Sequence, residues 1–188
     1  ESARKDSISA FMAETFGFSV SLTHQAMEQG DLAFKKFNTE LTTAGAELLD
    51  NLKDDEFAVV IAGRPYHSDD LINHNISQFF LKDGISVLPV DALPGIHDTN
   101  LDSVRAELTV NFHVRMYSGA MQVVNNPKLE LLQIVSFGCG HDAVISDELT
   151  RLLNRGAGKS PLILKMDESD VSGPLNIRIK SFLETVKS

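Results

Sequence analysis

Four short apolar runs constrain this chain more than any other feature: Phe57–Ala62, Ser86–Val90, Leu131–Ser136 and Leu162–Met166, each bounded by polar or turn residues. Amphipathic segments separate them, at about Asp69–Lys82, Leu101–Val124 and Ala143–Asn154, and a last one runs from Pro174 to Val186. Short buried strands alternating with helices are what parallel sheets built from βαβ units require. The chain is therefore expected to be α/β, with a parallel four-stranded sheet flanked by helices. The commonest doubly wound pattern predicts the strand order 2-1-3-4. Pro174 suits the first turn of the last helix, where its missing N–H costs nothing.

Ahead of the sheet, Ile8, Phe11, Met12 and Phe16 mark a short helix, and Gly17-Phe18 reads as its stop. From Ser21 to Leu52, Ala26, Gly30, Ala33, Phe37, Leu41, Ala44, Leu48 and Leu52 recur near the helical period. That stripe predicts a buried face, covered by this domain or by further sequence. The division expected is a helical N-terminal extension over 1–54 and an α/β domain over 55–188. An opening at Glu1 without Met predicts a piece of a larger multidomain protein.

Composition narrows the function classes. A formal net charge of -9 works against unaided binding to phosphate backbones or anionic lipid, so nucleic acid is a poor partner. No apolar stretch is long enough to span a bilayer, which predicts no membrane partner and a cytoplasmic domain. The one cysteine cannot form an internal disulfide or a self-contained multi-cysteine metal site.

In a parallel sheet the loops after the strands emerge on one edge, where ligands bind. That edge receives Gly63-Arg64-Pro65-Tyr66-His67, then Asp91, then Phe137-Gly138-Cys139-Gly140-His141-Asp142, then Asp167-Glu168. Gly138 and Gly140 free the backbone around Cys139 to turn tightly, and the following helix points amides at it. Cys139 reads either as a small buried hydrophobe or as a thiolate serving as metal ligand or nucleophile. His141 invites a Cys–His pair, although sequence proximity does not set geometry. Capping of the next helix is the expected role of Asp142 or Ser146. Arg64, Tyr66 and His67 offer donors for an anionic ligand, with Ser68 able to cap a helix. Neither G-x-G-x-x-G nor a Walker A pattern is present, which argues against a dinucleotide or P-loop site. Arg115 and Tyr117 read as helix residues that cover apolar surface and make surface hydrogen bonds. Asp167 and Glu168, adjacent on extended chain, face opposite ways and are no ready-made acid–base pair.

Three motifs together, Gly63-Arg64-Pro65-Tyr66-His67, Ser136-Phe137-Gly138-Cys139-Gly140-His141-Asp142 followed by Asp147-Glu148-Leu149, and Leu164-Lys165-Met166-Asp167-Glu168, resemble the 2-hydroxyglutaryl-CoA dehydratase D-component family. They look most like the large acyl-CoA dehydratase activase-related proteins, also called CoA-substrate-specific enzyme activases, over about Phe57 to the C-terminus. The resemblance implies flavodoxin-like or Rossmann-like α/β domains whose cysteines, drawn from several domains, bind a [4Fe-4S] cluster reduced by an ATP-dependent activase for chemistry on acyl-CoA. It makes Cys139 a cluster ligand, with Gly138, Gly140, Arg64 and His67 around the cofactor and the remaining ligands on other domains of the parent protein. The isolated domain is then expected to be inactive. The alternatives are a non-catalytic docking module and an anion- or nucleotide-binding flavodoxin-like domain.

Overall fold

A computed structural model of the chain describes residues 2–106, 110–136, 138–166 and 172–187. The elements follow the order α1 (Ser2–Phe16), α2 (Val20–Asp50), β1 (Ala58–Ala62), α3 (Ile76–Leu81), β2 (Ser86–Pro89), α4 (Asn111–Asn125), β3 (Leu129–Ser136), α5 (Gly140–Ala157), β4 (Leu162–Met166) and α6 (Ser172–Lys187). Short 3-10 turns at Pro65–Ser68, Val90–Ala92 and Ile96–Asp98 fill the connections. The chain packs as two units, Glu1–Thr42 and Thr43–Ser188.

In the second unit all strand pairs are parallel and the order is β2-β1-β3-β4, the order expected from the commonest doubly wound pattern. β3 is central and buried over nearly its whole length, which is why apolar residues fill both of its faces, interrupted by the buried Glu130 and Gln133. Strand alternation sends Val59, Leu132, Ile134 and Leu164 to one face, where Ile76 and Phe80 of α3 and Leu175, Ile179 and Phe182 of α6 cover them. α4 and α5 pack on each other and on β1 and β3 at the opposite face, with Met116, Tyr117, Ala120, Val123, Ile145, Leu149 and Leu153 buried. Burying some thirty apolar side chains at about 1.5–3 kcal/mol each is the main term holding this sheet between its helices.

At the amino edge of the sheet, Lys159 Nζ donates to the carbonyls of Asn126 (3.1 Å), Pro127 (3.3 Å) and Leu129 (2.5 Å) and lies 3.2 Å from Glu130 Oε1. Burial pushes the Glu130 carboxyl above its usual range, with Lys159 pulling it back.

Two helices depart from the sequence expectation. The segment expected as one helix over Asp69–Lys82 is a 3-10 turn, a looped stretch and then the short α3. His74 and Asn75 take positive φ (56° and 53°), and Asn73 donates to His67 O (3.0 Å) while accepting from the Ile76 N–H (3.2 Å). Asn side chains that bond local backbone compete with helix. The helix expected from Leu101 begins at Asn111. The intervening stretch opens on an Asn100 Oδ1 to Asp102 N–H bond (2.8 Å) and is tied to α5, because the Arg105 N–H donates to Glu148 Oε1 (2.7 Å).

In the first unit, Gly17 ends α1 at φ 71°, with its N–H on Ala13 O and the Phe18 N–H on Met12 O, as the stop signal predicts. Arg4 and Lys5 lie 3.9 and 3.6 Å from the Asp31 carboxylate, joining α1 to α2. The stripe expected to be buried is open here: Ala26, Gly30, Ala33 and Phe37 are all exposed, Phe37 to 58%. Among the described residues no helix is long and apolar enough to cross a membrane.

Candidate functional site

The carboxyl ends of β1 and β3 are neighbours in the sheet, so the chain segments that leave them, Gly63–Ser68 and Gly138–Asp142, face one another. This is the topological switch point of an open parallel sheet: β2 follows β1 to one side, and β3 returns on the other.

Arg64 joins the two loops. Its Nη2 donates to Cys139 Sγ at 2.6 Å and to Asp142 Oδ1 at 3.0 Å, and its Nε approaches the same oxygen at 3.3 Å. Asp142 Oδ2 accepts from the Ser136 N–H at 2.8 Å, so both carboxylate oxygens are engaged and the side chain is almost wholly buried. The Arg64 guanidinium also lies over the Phe112 ring, 5.6 Å from its centroid. The bond to Asp142 holds the guanidinium above its ordinary pKa.

A second network lies behind the first. The Arg64 N–H donates to His67 Nδ1 (3.1 Å), which places the imidazole proton on Nε2, 3.4 Å from Ser136 Oγ. Tyr66 Oη and Ser136 Oγ share a hydrogen bond of 2.7 Å. Burial pushes His67 below its ordinary pKa; Asp142 opposes that shift and Arg64 adds to it. The imidazole is neutral and serves as a brace.

α5 begins at Gly140, with Cys139 at the N-cap position (φ -88°, ψ 112°). Asp142 is therefore inside the first turn and does not cap the helix; its carboxylate is turned outward to Arg64 and Ser136. Ser146 is no cap either, since its hydroxyl donates back to Asp142 O at 2.7 Å. Gly138 has φ 74°, and a Cβ at Gly138 or Gly140 would meet none of the described residues within 4 Å, while Cys139 between them is half-buried. His141 turns to His113, ring centroids 5.9 Å apart, while the sulfur is taken by Arg64. His113 Nε2 is buried without a partner among the described residues, and burial pushes His113 below its ordinary pKa.

The geometry restricts the chemistry. The group on Cys139 Sγ is a guanidinium, which donates only, so the sulfur is an acceptor there and no base is paired with it among the described residues. Asp142 is spent on Arg64 and Ser136, so neither an anion site on a free Arg64 nor a Cys–His pair is built. Among the described residues no three His, Cys, Asp or Glu converge to hold a metal ion. Asp91 pairs with Arg115 (2.9 Å) at the end of β2, so Arg115 anchors the loop after β2. Phe137, Asp167 and Glu168 lie outside the described residues. Sequence reasoning missed Phe112, which no local motif marks, and gave His113 no role because it shows no paired metal spacing; α4 brings both to Arg64 and His141.

Residues 2–93, just under half of the chain, match a family described as CoA enzyme activase uncharacterised domain. The match takes in α1, α2 and the β1–α3–β2 unit with Gly63–His67, and it ends before the Cys139 loop. The N-terminal helices thus contribute to a similarity that the motifs placed from Phe57 onward. No curated protein and no solved structure matches the chain. The N-terminal half of this chain is similar to a domain of CoA enzyme activases, and that similarity supports an activase-related protein.

Proposed function

We propose that this chain is the domain of an activase-related protein that supplies one cysteine ligand, Cys139, to a [4Fe-4S] cluster completed by cysteines outside the chain. The observation that carries it is the sulfur's setting: half-buried at the carboxyl edge, on a loop whose glycines meet none of the described residues, accepting an N–H from a cation and with no base beside it among the described residues. That setting fits one corner of a cluster. It does not fit a whole cluster, because the chain has only one cysteine.

When bound, such a cluster supplies single-electron transfer, here to an acyl-CoA or similar substrate with ATP hydrolysis elsewhere driving it. The chain's own residues do the holding. Gly138, at positive φ, turns the loop so that Cys139 faces outward. Arg64 supplies an N–H to the ligand sulfur and positive charge beside it, and Asp142 keeps the guanidinium in place. His67 fixes the Arg64 backbone from below. Other domains of the parent protein, an ATP-dependent activase domain among them, are the partners this reading requires.

The test is iron and acid-labile sulfide content, with electron paramagnetic resonance, on the anaerobically purified full-length protein and its Cys139→Ala variant. About four irons per site and a signal lost or altered in the variant are expected. Iron content and signal unchanged by the substitution would remove the reading.

A further inference from the structure

On the β2 side of β1 a cleft of about 220 Å³ opens at the same carboxyl edge, and it shares Gly63, Arg64 and His67 with the network around Cys139. Ile61, Leu81, Val87 and Val90 give it apolar walls, and Asp70, Asp91, Ser68 and Ser77 give it a polar rim. Asp91 Oδ1 is held by Arg115 at 2.9 Å, which leaves Oδ2 as an acceptor whose charge is already balanced. Asp70 is exposed and has no ion pair among the described residues.

We infer that this cleft is a nucleoside site, taking a ribose whose vicinal hydroxyls donate to Asp91 and Asp70 while the base lies on the apolar walls. The position is the one from which an acidic residue reaches ribose hydroxyls in doubly wound sheets, at the end of the strand beside β1. The wall chemistry suits a flat, largely apolar body. A carboxylate neutralised by Arg115 favours a neutral donor over a second cation.

The site also differs from a dinucleotide site in a way that can be measured. The turn after β1 is Gly63-Arg64-Pro65 leading into a 3-10 turn, with no glycine-rich loop and no long helix starting there to receive a pyrophosphate. Arg64 is committed to Asp142 and Cys139. Phosphates would project past two carboxylates and gain little. The site therefore recognises the nucleoside, whichever adenosine-bearing molecule presents it.

Calorimetric titration of the protein with adenosine, 2′,3′-dideoxyadenosine, ADP and putrescine tests this, on the wild type and on Asp91→Asn and Asp70→Asn. Adenosine is expected to bind at least about tenfold more tightly than the dideoxy compound, and both variants are expected to erase that difference. ADP is expected within about threefold of adenosine. Asp70→Asn, at an exposed position outside any ion pair, guards against a folding effect at Asp91. Equal binding of the dideoxy compound, binding of putrescine alone, nucleoside binding untouched by both variants, or no nucleoside binding would each overturn the inference. Cys139 does not line the cleft, although Arg64 and His67 do, so nucleoside binding and iron content are measured as separate readouts.

Discussion

Arg64 Nη2 lies 2.6 Å from Cys139 Sγ and joins two loops that are 75 residues apart in the chain. The bond is possible only because β1 and β3 are adjacent parallel strands whose ends coincide, with Ala62 opposite Gln133. A hydrogen bond to a ligand sulfur and a positive charge beside it both favour the reduced state of a cluster. If Cys139 holds a cluster as proposed, Arg64→Leu in the full-length protein is predicted to retain iron and to lower the cluster's midpoint potential, as read by redox titration under paramagnetic resonance. An unchanged potential in an iron-replete variant would mean that Arg64 is structural only.

Asp142 should matter to stability more than its place in a helix first turn implies. It receives Arg64 and the Ser136 N–H with its side chain almost wholly buried. Removing it strands a cation and a backbone donor, so Asp142→Ala is expected to cost about 2 kcal/mol in urea denaturation. In a double-mutant cycle with Arg64→Leu the two losses should fall short of additive by about 1 kcal/mol. Additive losses would show that the pair does not act as a unit.

The sheet was legible in the sequence because parallel strands buried on both faces must be short apolar runs, and the loops between them are too long for hairpins. The edge loops followed from the topology, so Arg64, His67, Gly138, Cys139 and Gly140 could be placed at one edge. Their pairing could not. Asp142 reads as a helix cap in sequence, and only the early start of α5 at Gly140 frees its carboxylate for Arg64. The shortening of α3 had a visible signal in Asn73-His74-Asn75, residues that bond local backbone and tolerate positive φ. His113 and Phe112 gave none, because their partners Arg64 and His141 lie on loops distant in the chain.

His67 predicts an acid-sensitive fold. Burial holds its folded-state pKa below the unfolded value of about 6.5, so the neutral imidazole's contribution is fully present above that pH and is lost as pH falls through the lower folded value. His113 is shifted the same way by burial and by His141. The urea midpoint is expected to fall between pH 7 and pH 5, and His67→Gln, which can keep both hydrogen bonds, should make the fall shallower without abolishing it. A slope identical to wild type would show that His67 does not report on folding in this range.

Two glycines of α2 should respond to the same substitution with opposite sign. Alanine in a helix interior is favoured over glycine by about 1 kcal/mol, and Gly30, where a Cβ would meet nothing within 4 Å, should show that gain as Gly30→Ala. Gly45 is buried where α2 packs on the 3-10 turn Val90–Ala92, and a Cβ there would run into the backbone carbonyl of Ala92. A backbone atom cannot swing aside as a side-chain tip can, so α2 or the turn must shift. Because that turn carries Asp91, the shift should reach the loop after β2. Gly45→Ala is predicted to destabilise by about 2 kcal/mol in spite of the helix propensity it gains, and thermal melts of the two variants measured side by side decide the point. A stabilised Gly45→Ala would show that the carboxyl end of α2 does not pack against Ala92 as closely as its glycine requires.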